Sequence, residues 1–344
     1  MIRKGASPRR PSMEDVGERA GVSRQTVSRV LNVTSYVSPQ TRIRVLSAIE
    51  ELNFRPNKSA RSLALSRSDI VGVITMGGPG HGLLASILQG ISREAREKGF
   101  SISVNNLEVS LYDRSFEVLV DAAFESFISE SVAGVIVVSA YAGIMKVLQR
   151  QSSELPIVLV FGEPTEGIGT ATIDPRFGGK LAAEHLLTLG HKAIAHVSGP
   201  ANRLDAMGRE AGFREELAQN GLEPVAVLRG DWSADSGYTI GREFRERNDI
   251  TAIFCANDQM ALGLLHAFGE VSRYAPRDIS IVGFDDNPDA SHYQPPLTTI
   301  RQDFVEIGAR SFQGMSKAID YGIFEDVNIL PKLVVRSSTA AAPR

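Results

Sequence analysis

The sequence predicts an α/β protein in two unequal parts, a small helical head and a large core of two doubly wound lobes. Charge divides the chain first: residues 1–68 hold 13 Lys and Arg against 5 Asp and Glu, whereas residues 69–344 hold 24 against 35. The head shows three short amphipathic helical patterns. From Ile70 onward, short apolar runs alternate with amphipathic segments, the pattern of parallel strands covered by helices on both faces. With 344 residues the chain has room for two or three domains of about 100–200 residues each.

The first helix opens at a capping box, Ser12 with Asp15 three residues on, and carries Met13, Val16 and Ala20 on one stripe. Gly21 supplies a turn, and Ser23 caps a second helix from Arg24 to about Asn32 whose apolar face is Val27, Val30 and Leu31. Its other face, with Arg24, Gln25, Ser28, Arg29 and Asn32, has no acidic residue. A third helix opens at Ser38 with Pro39 at its first position, where a missing N–H costs nothing. Its buried row is Val45, Ala48, Ile49 and Leu52. Two short helices joined by a Gly-containing turn match a helix-turn-helix, whose second helix enters the DNA major groove. There Arg24 would fork onto guanine and Gln25 would pair with adenine, with Thr26, Ser28, Arg29 and Asn32 serving base edges or phosphates. A solvated helix face on a protein-binding module is the alternative. Pro56 then breaks the third helix, and residues 57–64 have length for two turns, too few to be stable alone since isolated helices below about 12 residues are marginal.

At this point Asp15-Val16, Ala20-Gly21-Val22-Ser23, the run Thr26 to Asn32, Val37-Ser38, Thr41-Arg42 and the run Leu52 to Asn57 together resemble the LacI/GalR family of bacterial transcriptional regulators. The resemblance implies a head at 1–55 with residues 1–11 disordered, a hinge helix and linker at 56–67, and an effector-binding and dimerisation core at 68–344. It divides that core into an N-lobe (68–172 plus 301–329) and a C-lobe (173–300 plus 330–340). It implies a homodimer on a pseudo-palindromic operator, with hinge helices in the minor groove and Leu63 wedged into a base step. It adds Ser23, Ser38, Thr41, Asn57, Lys58, Ala60 and Arg61 to the DNA-facing set.

In the core, apolar runs at 70–76, 101–105, 134–138, 156–161, 193–198, 252–256 and 279–284 read as strands. Helical patterns at 84–98, 115–129, 178–189, 207–219, 236–246 and 260–269 lie between them. That is too many strands for one sheet, and such sheets bind ligands beyond the carboxyl ends of their strands. Arg209, Trp232, Asn257 and Asp285 fall in or near those positions and suit a polyhydroxylated ring: a guanidinium fork, an indole for the C–H face, an amide and a carboxylate. Each has a plainer use. Asn257 and Asp258 suit a helix cap, Asp285 a braced turn, and a lone Trp a core.

The resemblance extends to about Arg336 through Arg209 to Phe213, Gly230 to Ala234, Ala256 to Gly263, Asp278 to Asp286 and Pro296 to Ile300. It implies a core similar to periplasmic sugar-binding proteins, with Arg209, Trp232, Asn257 and Asp285 lining the effector pocket. Two places depart from it: Phe161 stands where some sugar-responsive members carry a polar residue, and 76–82 makes an unusually Gly-rich loop around His81. No leucine heptad follows residue 336, which favours a dimer over a tetramer.

The expected function is a repressor controlled by a small molecule, a sugar or sugar derivative. Alternatives are a purine or nucleoside effector, control by a phosphocarrier protein, and remotely an α/β enzyme. Against the enzyme, the chain has no G-x-S-x-G elbow, Walker loop or dinucleotide glycine fingerprint. Six scattered histidines and the single Cys255 offer no metal-ligand spacing, so no catalytic residue, metal or cofactor is expected. No run of about 20 apolar residues occurs and no apolar signal core follows Met1, so no membrane partner and a cytoplasmic, nucleoid-associated location are expected.

Overall fold

The computed structural model describes residues 11–32, 36–54, 68–76, 83–107 and 116–343. Its packing divides the chain between Ser68 and Asp69 into a head and a core.

In the head, α1 (Met13–Ala20), α2 (Arg24–Asn32) and α3 (Pro39–Glu51) pack Val16, Ala20, Val27, Val30, Val45, Ala48 and Phe54 into one small core. The capping box is formed: Ser12 Oγ accepts from the Asp15 N–H at 3.2 Å, and Asp15 Oδ2 accepts from the Ser12 N–H at 2.6 Å. Gly21, at φ 64°, makes the left-handed turn that ends α1. Ser23 Oγ accepts from the Thr26 N–H at 3.2 Å and Ser38 Oγ from the Thr41 N–H at 3.4 Å, so both serines start their helices.

The described residues of the core form two six-stranded sheets. The first has the order β11-β5-β4-β3-β1-β2, with β1 (Ile70–Met76), β2 (Ser101–Leu107), β3 (Val135–Val138), β4 (Ile157–Val160), β5 (Gly169–Ile173) and β11 (Asp326–Ile329) all parallel. The second has the order β12-β10-β9-β8-β6-β7, from β6 (Ile194–Ser198), β7 (Ala226–Arg229), β8 (Ala252–Cys255), β9 (Ser280–Asp285), β10 (Thr298–Arg301) and β12 (Lys332–Val334). Only β12 runs antiparallel to its neighbour there. Strands β3 and β4 read Val-Ile-Val-Val and Ile-Val-Leu-Val and are buried throughout, as a parallel sheet covered on both faces requires.

The first lobe is covered by α4 (Leu83–Glu97), α5 (Phe116–Ser129), α6 (Ile144–Gln151) and α11 (Phe304–Tyr321). The second is covered by α7 (Pro175–Thr188), α8 (Leu204–Gln219), α9 (Ala234–Phe244) and α10 (Asp258–Gly269). Helices α4 and α11 cross closely at Gly90 and Gly308, where a Cβ on either would collide with the other's backbone. The chain passes between lobes where β5 leads to α7, β10 to α11, and β11 to β12. Of those four strands β11 and β12 form an edge of their sheets, and β5 and β10 stand next to them.

The expected helices begin up to three residues earlier than their apolar periodicity, because polar caps start them: Asp174, Ser233 and Asn257 cap α7, α9 and α10. Five strands escaped the reading of apolar runs: β5, β7, β10, β11 and β12. Strand β5 is Gly-Thr-Ala-Thr-Ile, and β11 is Asp-Val-Asn-Ile at a sheet edge. Neither forms an apolar run.

Candidate functional site: a cleft between two lobes and a polar helix face

In the head, Arg24, Gln25 and Arg29 are exposed on α2, and Thr26 and Ser28 are half-buried. Arg24 is held loosely by Glu14 at 3.4 Å, so its guanidinium is free to reorient toward a phosphate or base. Ser23, Thr26, Ser38 and Thr41 are all engaged in starting helices, each serine hydroxyl also sharing a bond with the threonine three residues on. Asn32 ends α2; its side chain lies outside the described residues, as do Asn57, Lys58, Ala60, Arg61 and Leu63, residues 1–10 and the loop with His81.

In the core a cavity of about 570 Å³ lies between the lobes, lined by residues of both. Arg209, Trp232, Asn257 and Asp285, far apart in sequence, all reach it. Arg209, in the second turn of α8, is 5% exposed. Its Nη1 donates to the carbonyl of Ala256, and its guanidinium carbon lies 3.9 Å from the Phe284 ring centroid and 5.3 Å from that of Trp232. Its Nη2 lies 3.5 Å from Asp285 Oδ1, which also accepts from Gln302 Nε2 at 2.7 Å. The ion pair is long and Arg209 is shared with a carbonyl, so burial outweighs it. Desolvation pushes the Asp285 carboxyl up to about 6, with Arg209 and then Gln302 holding it down.

Trp232 is positioned by its own backbone and by a glycine. It sits at φ 77°, and its ring lies against Gly199, where any Cβ would overlap the indole. Asn257 has the plainer role foreseen for it. Its Oδ1 accepts from the Met260 N–H at 2.9 Å, capping α10, while its Nδ2 donates to the Trp232 carbonyl at 2.9 Å. It therefore borders the cavity chiefly as the fastener of Trp232. Asp258 is buried behind the cavity, accepting from Thr299 Oγ1 at 2.6 Å and from the Asn287 N–H at 2.8 Å. Burial, then Asp285, push its carboxyl well above the ordinary range. Asp286 is engaged by Arg301 and Arg336 at 2.6 Å each. Among the described residues no group of three metal-ligating side chains occurs. His196 is a core histidine, donating from Nδ1 to the Phe254 carbonyl and stacked on Phe254, with burial lowering its pKa to about 4.

Of the seven described non-glycine residues at positive φ, Phe161 (70°), Trp232 (77°) and Asp285 (108°) line this one cavity, and Asp286 (56°) is beside it. Such backbone costs about 1–3 kcal/mol per residue and collects where side chains must be aimed. Two buried donors, Arg209 Nε and Trp232 Nε1, have no hydrogen-bond partner among the described residues. An unsatisfied buried donor costs about 1–3 kcal/mol.

Several lining residues were not foreseen. Gln302 lies on the crossing segment after β10, and Phe304 begins α11. Buried Arg203 and half-buried Asp205 form a second ion pair at 3.1 Å. Arg203 also joins the lobes: Tyr141 and Arg203 form an antiparallel bridge, with Leu204 N–H donating to Ala140 O at 2.8 Å and Ala142 N–H to Asn202 O at 3.2 Å. The Arg203 guanidinium carbon lies 5.0 Å from the Tyr141 ring centroid. The bridging loops follow β3 and β6, which stand two and three strands from β5 and β10. At about 4.8 Å per strand, that places the bridge about 10–14 Å across the sheets from the crossing segments.

A helix-turn-helix head joined to a two-lobed ligand cleft defines a DNA-binding regulator controlled by a small molecule. Residues 12–57 match the bacterial regulatory proteins of the lacI family, and residues 183–339 match the periplasmic binding protein-like domain. The chain is 35% identical to the lactose operon repressor of Escherichia coli strain K12, over 96% of this chain and 91% of that one. It is 32% identical to the transcriptional regulator CelR of Thermobifida fusca, over 86% of this chain and 87% of that one. The lac repressor dimer bound to operator and the anti-inducer ONPF superimposes with a TM-score of 0.89 at 34% identity, covering 97% of this chain and all of that one. The chain belongs to the LacI family of transcriptional regulators. These relatives are regulators rather than enzymes, and no described helix is long and apolar enough to cross a membrane.

Proposed function

We propose that the protein is a homodimeric cytoplasmic repressor whose operator affinity is set by a sugar or sugar derivative held between the lobes, and that it acts by binding alone, without catalysis. The observation that carries the effector reading is the buried Arg209–Asp285 pair, 3.5 Å apart, bordering a 570 Å³ cavity together with the Trp232 indole. A carboxylate accepts from ring hydroxyls, a guanidinium donates to a ring or hydroxyl oxygen, and an indole covers the C–H face of a pyranose. Asn257 contributes by holding Trp232 in place. Sugars are also bound or named in relatives: one is the lactose operon repressor, and a CelR–cellobiose complex superimposes with a TM-score of 0.71.

In this reading Arg24 and Gln25 read bases, Ser23, Thr26, Ser28, Arg29, Asn32, Ser38 and Thr41 contact the duplex around them, and residues 56–67 form the hinge. Asn57, Lys58, Ala60, Arg61 and Leu63 would there meet the minor groove. Residues 68–344 form the effector-binding and dimerisation core. The effector acts by changing the relative stability of two lobe arrangements, and a coupling of about 1–3 kcal/mol changes operator affinity about 5–150-fold.

The test is a thermal-shift screen of the full chain against sugars, sugar phosphates, nucleosides and purines, followed by operator binding with and without each hit. A ligand at about 100 times its Kd stabilises by about 2.7 kcal/mol. A sugar that stabilises wild type and changes operator affinity supports the reading. A panel in which only nucleosides or purines do so, or in which none does, refutes the sugar assignment.

A further inference from the structure

Asn257 and Asp258 are neighbours at the start of α10, and the first of them does the capping. Asn257 Oδ1 accepts from the Met260 N–H, and its Nδ2 donates to the Trp232 carbonyl. Asp258, the first helical residue, is 0% exposed. A buried carboxyl is costly unless its oxygens are bonded, so its partners show what it is used for. Oδ1 accepts from Thr299 Oγ1 on β10 at 2.6 Å, and Oδ2 accepts at 2.8 Å from the N–H of Asn287, two residues beyond β9. Gly283 on β9 makes the room, since a Cβ there would run into Asp258 Oδ1.

The contact to Asn287 closes a strained turn. Asp285 and Asp286 stand consecutively at φ 108° and 56°, and such backbone persists only where its surroundings over-determine it. Three sets of anchors do so here. Gln302 holds the Asp285 carboxylate at 2.7 Å, Arg301 and Arg336 hold Asp286, and Asp258 holds the backbone of Asn287. Of these anchors Asp258 is the one that comes from α10. Two adjacent residues, Asn257 and Asp258, therefore fasten the loops that carry Trp232 and Asp285, each through a backbone group.

We propose that Asp258 is the positioning residue of the effector site: from the start of α10 it holds the 285–287 turn so that the Asp285 carboxylate faces the cavity at a fixed offset from the Trp232 indole. The proposal rests on the reading of Asp285 as the carboxylate that receives ring hydroxyls. Asp258 lies behind the cavity and acts through the turn. The charged or titratable groups around the two carboxyls are Arg209 and Asp205 on α8, Asp286 in the turn, Cys255 on β8 and Tyr293 beyond the turn.

Variants of the full chain distinguish aiming from stability. In Asp258→Asn one oxygen still accepts from Asn287 and the amide donates to Thr299, whose hydroxyl both gives and accepts, so the turn stays held. Asp258→Ala loses both contacts, and Asp258→Ser, one bond too short to reach either partner, stands in for it if the alanine variant does not fold. Thr299→Val takes one partner from the carboxyl but leaves the contact to Asn287, and so reports lost stability alone.

The first readout needs no ligand. Asp285→Asn is introduced into each background and melting points are compared at pH 7.5 and pH 5. A turn that keeps Asp285 buried makes that substitution stabilising, more so at the higher pH, because the folded carboxyl is raised to about 6. This pH-dependent gain should persist in Asp258→Asn and Thr299→Val and vanish in Asp258→Ala, whose Asp285 turns to solvent. The second readout is calorimetry with methyl β-galactoside and methyl β-glucoside below the melting range of every variant. Affinity should fall about tenfold or more in Asp258→Ala, as loss of one charge-assisted hydrogen bond entails, and stay within about threefold in the other two. A gain that survives in Asp258→Ala, or an equal affinity loss in Thr299→Val, overturns the proposal and leaves the sugar reading standing. Failure of both glycosides to bind wild type counts against the sugar reading, and the ligand-free readout then decides whether Asp258 positions Asp285.

Discussion

Asp285→Asn tests the electrostatics of the cleft without touching its shape. The substitution mimics the protonated carboxyl: the retained oxygen still accepts from Gln302 and still faces Arg209 Nη2. The folded carboxyl is raised from 3.8 to about 6, chiefly by desolvation. The folded state therefore binds more protons than the unfolded state between those values, so the stability this group contributes is full below the lower value and is lost as pH rises through the upper one. Keeping it ionised costs about 3 kcal/mol near pH 7.5 and about half that near pH 5. The Asn variant should be more stable than wild type by up to those amounts, a melting-point gain of about 6 °C at the higher pH that roughly halves at the lower. Effector response should move the opposite way. Hydroxyl donors favour the ionised form, so wild-type affinity should fall as pH drops below about 6, while the variant binds weakly at every pH. Thermal unfolding and effector titration at both pH values measure this. A destabilised variant, or a gain equal at the two pH values, would refute the account of Asp285 as a buried carboxylate held ionised for its ligand.

Four further substitutions probe other parts of the molecule. Arg24→Ala and Gln25→Ala should each cost about 1–3 kcal/mol of discrimination between operator and altered operators in a gel-shift series, and unchanged discrimination would count against α2 as the reading helix. Gly199→Ala places a Cβ in the indole's space, so it should displace Trp232, alter the emission of this sole tryptophan and weaken the effector; unaltered emission would show that the close contact is unimportant. Arg203→Ala removes the guanidinium over Tyr141 and leaves Asp205 without its partner, so the ligand-free core should open more often, read as a larger radius of gyration by small-angle scattering that effector reverses. An identical scattering profile would mean that the backbone bridge alone holds the lobes.

Signals that survive in the sequence are those whose physics is local. The Ser12–Asp15 box and Pro39 mark helix starts because capping needs only residues three apart, and the all-apolar β3 and β4 announce strands buried on both faces. Trp232 and Asn257 were legible because they lie just beyond strand ends, Asp285 because it closes β9, and Arg209 because it lies early in the helix after β6, all at the carboxyl ends where doubly wound sheets converge. What was missed depends on long-range packing. Strands β5 and β11 are ordered by pairing with each other, and their small and polar residues give no periodic signal. Gln302 follows a strand of four residues that was not recognised, so its place at the cleft was not visible. The bridge at Tyr141 and Arg203 joins two loops 62 positions apart that look unstructured one at a time.

These unforeseen residues connect the ligand to the lobes. Asp285 has two partners: Arg209, on a helix of the second lobe, and Gln302, on a segment that crosses into the first. A hydroxyl that engages Asp285 must share it with Gln302 or displace it, so binding alters a contact at the crossing itself. Arg203 lies in the same cavity lining and takes part in the bridge on the far strands. A ligand bound in this cavity would thus meet both places where the lobes are joined, the crossing segments through Gln302 and the non-covalent bridge through Arg203. Only a ligand that contacts them differently in the two lobe arrangements can shift the balance between those arrangements. A ligand touching Trp232 alone would bind without signalling. By this argument Gln302→Ala should separate binding from response, retaining a calorimetric signal while flattening the change in operator affinity.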